Sequence, residues 1–224
     1  MFDDIKNNID FFIRNKTKFS RKNFVETNQD LIQRNLNENL YIEDVLKNSF
    51  EITPASQVKA LDIGSKNWFY ARGEYSFFKS FAKDVFLDGI EIDAYRLYSN
   101  FYSRYEVAKY YIKDLKNVNY IPGNLLELSQ KYDYIIWFLP FVLSDPHIYW
   151  GLPKKYFYPQ KLLSHAYSLL NQNGQMLIVN QGEFEAKEQA NLLKKENIPY
   201  KELGEISSEY FSYKHKRYGF LIRK

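Results

Sequence analysis

The chain has 224 residues, of which 45% are hydrophobic and 18% aromatic, and its formal net charge is +4. This composition excludes a disordered chain and suffices for one α/β domain with a sizeable core. No apolar run is long enough to cross a bilayer and the first residues do not resemble a signal peptide, so we expect a cytoplasmic protein without membrane contact. With no cysteine and three widely separated histidines, we expect no metal.

The first 54 residues predict a helical extension. Apolar residues at helical spacing precede a basic run at positions 14–22, and a second helix is predicted to begin near Thr27 and to run to about Leu46. The basic run is typical of a solvated face, with contact to phosphate as the alternative. We expect residues 1–54 to cover an edge or cleft of the main domain, which spans residues 55–224.

The main domain alternates predicted strands and helices. Strands are predicted at residues 58–64, 85–93, 118–121, 132–141 and 175–180, followed by two closing strands at 200–206 and 218–222. Helices are predicted at residues 70–82, from an N-cap at Asp93 onward, at 159–170 and at 183–197. Gly174 is predicted to lie in the C-cap region of the helix at 159–170. This order predicts a doubly wound, mostly parallel seven-stranded sheet with ligands at the carboxyl ends of its strands.

The first strand ends in Leu61-Asp62-Ile63-Gly64, which resembles the first motif of class I S-adenosylmethionine (SAM)-dependent methyltransferases, acidic-x-Gly-x-Gly-x-Gly. Lys66 and Trp68 stand where the second and third glycines are expected. The helix that ends before a Leu-Ile-Val strand also resembles this family, as do the two closing strands. The resemblance covers about residues 55–224 and implies a Rossmann-like methyltransferase fold with SAM as cofactor.

The resemblance also implies a cofactor site. Asp62 and Gly64 would shape the loop below the methionine part of SAM, with the amides of Ser65 and Lys66 close by, and the Lys66 ammonium would suit its carboxylate. By its position at the end of the second strand, Glu91 is the predicted ribose ligand. The predicted cofactor-binding residues are Asp62, Gly64, Ser65, Lys66, Glu91, Asn124, Leu125, Leu139 and Pro140.

The segment after the fourth strand is expected to line the substrate pocket. Phe138-Leu139-Pro140-Phe141 lacks the polar residue of the Asp/Asn-Pro-Pro-Tyr/Phe motif found in methyltransferases that act on planar amines, which disfavours that mechanism. Residues 142–158 predict a long aromatic loop. His147 is the candidate general base, with an incidental loop histidine as the alternative. The candidate substrate contacts are Phe141, Tyr149 and Trp150.

Three functions remain open on the sequence. The first is a SAM-dependent methyltransferase, with a small-molecule substrate favoured and RNA kept open by the basic clusters at 14–22 and 214–217. The second is a non-catalytic binding protein with the same fold, because bulky residues at positions 66 and 68 would obstruct the cofactor. The third, an NAD-dependent oxidoreductase, lacks the Gly-x-Gly-x-x-Gly spacing and a further domain. The sequence does not predict an oligomeric state.

Overall fold

The computed structural model describes residues 29–99 and 101–224, so the predicted first helix and the basic run at 14–22 lie outside the described residues. Single 3₁₀ turns lie at Leu125–Glu127 and Lys154–Tyr156. The helices and strands are, in chain order, α1 (Gln29–Ser49), β1 (Ala55–Ile63), α2 (Ala71–Lys79), β2 (Ala82–Glu91), α3 (Arg104–Tyr111), β3 (Val118–Pro122), β4 (Tyr132–Phe138), α4 (Ser144–Tyr149), α5 (Pro159–Leu169), β5 (Leu170–Gln181), α6 (Gly182–Lys195), β6 (Tyr200–Ile206) and β7 (Arg217–Arg223).

The strands form one seven-stranded sheet in the order β3-β2-β1-β4-β5-β7-β6. All neighbouring pairs are parallel except those of β7, which runs antiparallel to both β5 and β6. The central position of β4 follows from its nearly continuous apolar run, because a parallel strand is buried on both faces. The prediction of a doubly wound, mostly parallel seven-stranded sheet is therefore confirmed, and its antiparallel strand is β7.

Each face of the sheet carries its own apolar core. Side chains alternate along a strand, so Ala60 and Ile136 pack with α1, α2 and α3, whereas their neighbours Leu61 and Ile135 pack with α5 and α6. All four side chains are fully buried. Within the described ranges, no helix is long and apolar enough to cross a membrane, and no group of three or more His, Asp or Glu is placed to hold a metal ion.

Helix α1 is fixed to the sheet domain through α2. The Asn39 side chain accepts a hydrogen bond from the Gly73 amide at 2.8 Å and donates one to the Phe69 carbonyl at 3.0 Å. A Cβ at position 73 would lie 2.3 Å from the Asn39 carbonyl oxygen, so only glycine allows the two helices to approach this closely. This contact holds α1 beside the carboxyl ends of the strands.

The prediction that Asp93 caps the helix after β2 is wrong. The N-cap of that helix is Ser103, ten residues after Asp93, and the helix begins at Arg104. The Ser103 hydroxyl accepts from the Glu106 amide at 3.2 Å while the Glu106 carboxylate accepts from the Ser103 amide at 2.9 Å, which satisfies two free N–H groups at once. Asp93 pairs instead with Arg96 and Arg104, at 2.6 and 3.1 Å.

Two further predictions need correction. Residues 142–158 are not a plain loop, because they contain α4 and a 3₁₀ turn. Gly174 is not in a helix C-cap, because α5 ends at Leu169 and the chain passes directly into β5. The backbone groups of this segment pair with the last residue of the chain: the Asn173 amide donates to the Lys224 carbonyl at 2.7 Å, and the Lys224 amide donates to the Gly174 carbonyl at 3.1 Å.

Candidate active site

A cavity of about 900 Å³ opens at the carboxyl ends of the parallel strands. It lies where the strand order reverses between β1 and β4, which is the position at which open α/β sheets bind ligands. Residues at or just after the ends of β1, β2, β3 and β4 line it, among them Gly64, Glu91, Asn124 and Leu139. Its volume falls in the range of pockets that enclose small molecules, about 300–1,000 Å³.

The loop after β1 has an unusual backbone. Gly64, Lys66 and Trp68 have φ values of 78°, 54° and 45°. These are the three glycine positions of the motif that the sequence resembles, and the left-handed region suits glycine but costs other residues about 1–2 kcal/mol each. The loop therefore keeps a conformation suited to glycine at all three positions, although two of them carry large side chains.

The Trp68 side chain points away from the cavity into the core. Its indole is fully buried and donates a hydrogen bond to Glu74 Oε2 at 2.8 Å. It packs directly against Gly89 on β2, where a Cβ would lie 2.8 Å from the ring. Trp68 is absent from the cavity wall, so the obstruction that the sequence suggested at this position does not arise from its side chain.

Asp62 and Ser65 lie beneath the loop and do not line the cavity. Both are fully buried, and the Asp62 carboxylate accepts a hydrogen bond from the Tyr70 hydroxyl at 3.0 Å. The Ser65 hydroxyl donates to the Asp62 carbonyl at 3.1 Å. Burial raises the pKa of Asp62 to about 7 and that of Glu74 well above its ordinary value. These residues support the loop from below.

Lys66 does line the cavity, with its side chain half-buried. Its Nζ lies 5.2 Å from the centre of the Trp150 ring and has no hydrogen-bond or ion-pair partner in the described part of the chain. Burial, and next the charge of Arg104, lower the pKa of this ammonium group. A cation in this setting favours an anionic ligand group.

Glu91 connects the loops at the end of β2. Its Oε2 accepts from the Lys66 amide and its Oε1 from the Asp93 amide, both at 2.8 Å, and its carbonyl accepts from the Gly123 amide at 3.0 Å. The residue is 7% exposed and borders the cavity. Because each carboxylate oxygen has two lone pairs, both oxygens can still accept a ligand hydroxyl.

Asn124 and Leu125 border the cavity after β3. The Asn124 side chain accepts from the Leu126 amide at 3.1 Å and donates to the Tyr158 hydroxyl at 3.3 Å. Leu125 is 6% exposed and offers an apolar surface. At this end of the cavity the pair therefore offers both a polar amide, from Asn124, and an apolar surface, from Leu125.

Leu139, Pro140 and Phe141 form the wall that follows β4. Leu139 has a φ of 57°, and its amide donates to the Val179 carbonyl at 2.7 Å, which turns the chain over the ends of β4 and β5.

Next to this wall lies His147, which is 3% exposed and borders the cavity. Its Nε2 is 3.0 Å from the Pro153 carbonyl oxygen. Because a carbonyl only accepts, Nε2 carries a proton here, and Nδ1 of the neutral ring is an acceptor.

Trp150 closes one side of the cavity and Tyr149 stands at its rim. The Trp150 ring lies 5.2 Å from both Lys66 Nζ and the Arg104 guanidinium, so it connects the segment after β4 with the loop after β1 and with α3. Arg96 adds a hydrogen bond to the Trp150 carbonyl. Tyr149 is 96% exposed, so most of its side chain faces solvent.

Sequence reasoning missed one wall of the cavity. Arg34 and Glu38 come from α1, Gln189 from α6, Tyr213 from the segment between β6 and β7, and Arg217 from the first position of β7. The signal available was the antiparallel last strand, because such a strand begins at the edge where the parallel strands end. The sequence instead grouped Arg217 with the basic cluster 214–217. In the structure the first three residues of that cluster are exposed, whereas Arg217 is only 7% exposed.

No protein-family model matches the sequence, and no curated protein matches it. Solved structures do match. A SAM-dependent methyltransferase from Aquifex aeolicus has a TM-score of 0.58 at 14% identity, covering 85% of this chain and 96% of that one. The YcgJ protein from Bacillus subtilis gives 0.54 at 12% identity (82% and 97% covered), and the plantazolicin methyltransferase BpumL in complex with SAH gives 0.51 at 17% (95% and 94%). The chain therefore has the class I methyltransferase fold.

Proposed function

We propose that this protein is a SAM-dependent methyltransferase that acts on a small molecule. The observation that carries the proposal is the loop after β1. It holds left-handed backbone at Gly64, Lys66 and Trp68, while the indole at position 68 turns into the core and leaves the cavity open. A loop of this kind brings backbone amides close to a ligand at the carboxyl end of the first strand. This geometry supports a bound nucleotide cofactor.

The residues around the cavity fit the groups that SAM carries. The unpaired Lys66 ammonium suits a carboxylate, the free lone pairs of Glu91 suit ribose hydroxyls, and Asn124 with Leu125 suits a flat heterocycle with an amino group. When bound, SAM supplies a methyl group on a sulfonium, which a nucleophile attacks in line. The contribution of the protein is then to orient the acceptor and to exclude water.

We assign His147 as the base that receives a proton from the acceptor. Its ring packs 5.5 Å from Phe141 and 5.3 Å from Phe157, centre to centre, and its Nε2 is held by Pro153. These contacts fix the ring and keep Nδ1 as the acceptor nitrogen. Once a substrate is known, His147→Asn should lower kcat with little change in KM. An unchanged kcat would refute this role.

A small-molecule acceptor is favoured over RNA by the distribution of charge. Lys214, His215 and Lys216 are exposed, but Lys216 pairs with Glu205 at 2.7 Å and Arg217 is buried. The cluster is therefore broken up in space, whereas proteins that bind RNA strongly present a continuous basic face. Methyl transfer to RNA would instead predict substrate affinity that falls steeply with salt.

Isothermal titration with SAM, S-adenosylhomocysteine (SAH) and NAD tests the cofactor. We expect SAM and SAH to bind with micromolar affinity and NAD not to bind. Glu91→Gln should weaken SAM binding by about tenfold, since it removes a charged acceptor worth about 1–3 kcal/mol. Glu202→Gln, an exposed change in the middle of β6, is the matched control and should bind like the wild type. A folded wild type that binds neither SAM nor SAH would refute the proposal, and binding of NAD alone would favour an oxidoreductase.

The acceptor class is tested by transfer of a labelled methyl group. The protein is incubated with methyl-labelled SAM and either a small-molecule cell extract or total RNA. We expect label in low-molecular-weight material from the extract and none in RNA. Labelled RNA would refute the small-molecule acceptor while leaving the methyltransferase proposal intact.

A further inference from the structure

Arg217 lies in the half of the cavity opposite the predicted cofactor site. It is the first residue of β7 and pairs in register with Gln181, the last residue of β5. Gly64 directly follows β1 and Glu91 is the last residue of β2, and both strands lie on the other side of β4 in the sheet. Arg217 therefore borders the part of the cavity that remains for the methyl acceptor.

The Arg217 guanidinium is buried without a counter-ion. The residue is 7% exposed, its Nη1 donates to Gln181 Oε1 at 3.0 Å, and the group lies 4.4 Å from the centre of the Tyr213 ring. No carboxylate among residues 29–99 and 101–224 forms an ion pair with it. Of the acidic groups that influence it, Glu38 is paired with Arg34 at 2.8 Å and Glu185 accepts from the Gln181 amide at 3.0 Å.

A buried unpaired cation is costly, and burial lowers the pKa of Arg217 accordingly. A buried cation of this kind is retained where a ligand supplies the missing negative charge, because proteins commonly give up stability at their binding sites. A guanidinium has five N–H donors in a planar fork that matches a carboxylate, and among the described residues only one of these donors has a side-chain partner. Tyr213 holds the plane of the fork in place, so the site is organised before the ligand arrives.

We propose that Arg217 binds a carboxylate group of the methyl acceptor. This inference rests on the proposed function and narrows its substrate class. The cavity wall as a whole is largely apolar, with Ile42, Leu192 and Tyr213 among its residues, whereas the carboxylates of Glu38 and Glu185 are the charged groups of the wall that act on Arg217. The acceptor is thus a mainly apolar or aromatic small molecule with one acidic group, held so that its other end faces the cofactor half.

The variants that test this are Arg217→Met, Arg217→Lys and, as a matched control, Arg223→Met. Arg223 lies at the other end of β7, where it is exposed and pairs with Glu51. Because Arg217→Met removes a buried unpaired charge and keeps much of the side-chain volume, we expect a melting temperature equal to or above that of the wild type. A large loss of stability in Arg217→Met would indicate a structural role and overturn the proposal.

Binding is measured by titrating 4-hydroxybenzoate and indole-3-carboxylate, and their neutral amides, into each protein with and without SAH. In the wild type and Arg223→Met, the carboxylates should bind at least tenfold tighter than the amides. Arg217→Met should abolish this preference, and Arg217→Lys should keep only part of it because an ammonium lacks the bidentate fork. A preference that survives in Arg217→Met, or amides that bind the wild type as tightly as the acids, would overturn the proposal.

Two further measurements distinguish failure of the carboxylate proposal from failure of the proposed function. Phenyl phosphate is titrated alongside, and tighter binding of phenyl phosphate than of both carboxylates would mean that the site takes a phosphate, against the proposal. SAH binding to Arg217→Met is measured separately and should equal that of the wild type, since Arg217 lies outside the cofactor half. A wild type that prefers carboxylates but does not bind SAH would refute the proposed function and leave the anion site standing.

Discussion

Restoring the third glycine of the motif, by Trp68→Gly, should destabilise the protein. Glycine would relieve the left-handed backbone at φ 45°, a gain of about 1–2 kcal/mol that is partly offset by about 0.5–1 kcal/mol of extra chain entropy in the unfolded state. Against this, truncating a fully buried aromatic side chain costs about 3–5 kcal/mol. Glu74 would also lose its indole donor, at a further cost of about 1–3 kcal/mol.

The net loss is about 3 kcal/mol or more, a large part of the 5–15 kcal/mol typical of a domain. Urea denaturation followed by far-ultraviolet circular dichroism measures it: with a slope of about 2–3 kcal/mol per molar urea, the midpoint should fall by about 1 M or more. Lys66→Gly is the matched control, because the Lys66 side chain is only half-buried, and its midpoint should stay level or rise. A Trp68→Gly midpoint at or above the wild-type value would refute the reasoning.

Two further changes test how the loop and α1 are supported. Gly73→Ala should lower the free energy of unfolding by about 1–3 kcal/mol, because its Cβ would overlap the α1 backbone. Gly123→Ala is the control and should be tolerated, because its Cβ meets nothing nearer than 4.0 Å. Equal urea midpoints for the two variants would contradict this prediction. Since the folded protein holds the Asp62 proton up to a pH of about 7 and the unfolded chain releases it near 3.8, the contribution of Asp62 to stability should fall as pH rises between these values. In Asp62→Asn this fall should be smaller than in the wild type, as measured by the urea midpoint at several pH values. Parallel pH profiles for the wild type and Asp62→Asn would contradict the prediction.

The fold was predictable because its signals are local. The apolar run of β4 and the two closing strands follow directly from residue pattern, and they fix the sheet class. The start of α3 was not predictable in this way, since Asp93 and Ser103 are both good N-cap residues. The choice between them depends on Arg96 and Arg104, which draw Asp93 into ion pairs, and this contact exists only after folding.

The candidate site was predictable where one rule applies, namely that ligands bind at the carboxyl ends of parallel strands. That rule alone brings Glu91 to the cavity, whereas Asn124 was expected there from the resemblance to the methyltransferase family. The rule does not reveal the direction of the Trp68 side chain, which depends on the space at Gly89 on a neighbouring strand. Nor does it separate Arg217 from its exposed neighbours, because the burial of Arg217 follows from the insertion of β7 and from stacking on Tyr213.

Glu91 also supports the strained loop after β1, and this second role complicates any test of Glu91 as a ribose ligand. The Lys66 backbone, at φ 54°, is held by Glu91, which accepts from its amide, and by the Tyr120 hydroxyl, which donates to its carbonyl. Weaker SAM binding in Glu91→Gln therefore combines a lost ligand contact with a relaxed loop. In a Lys66→Gly background the loop no longer needs this restraint, so the effect of Glu91→Gln on SAM affinity should shrink but stay at several fold. A double-mutant cycle by titration measures the difference. If the effect of Glu91→Gln vanished in the Lys66→Gly background, Glu91 would be a loop support and not a ribose ligand.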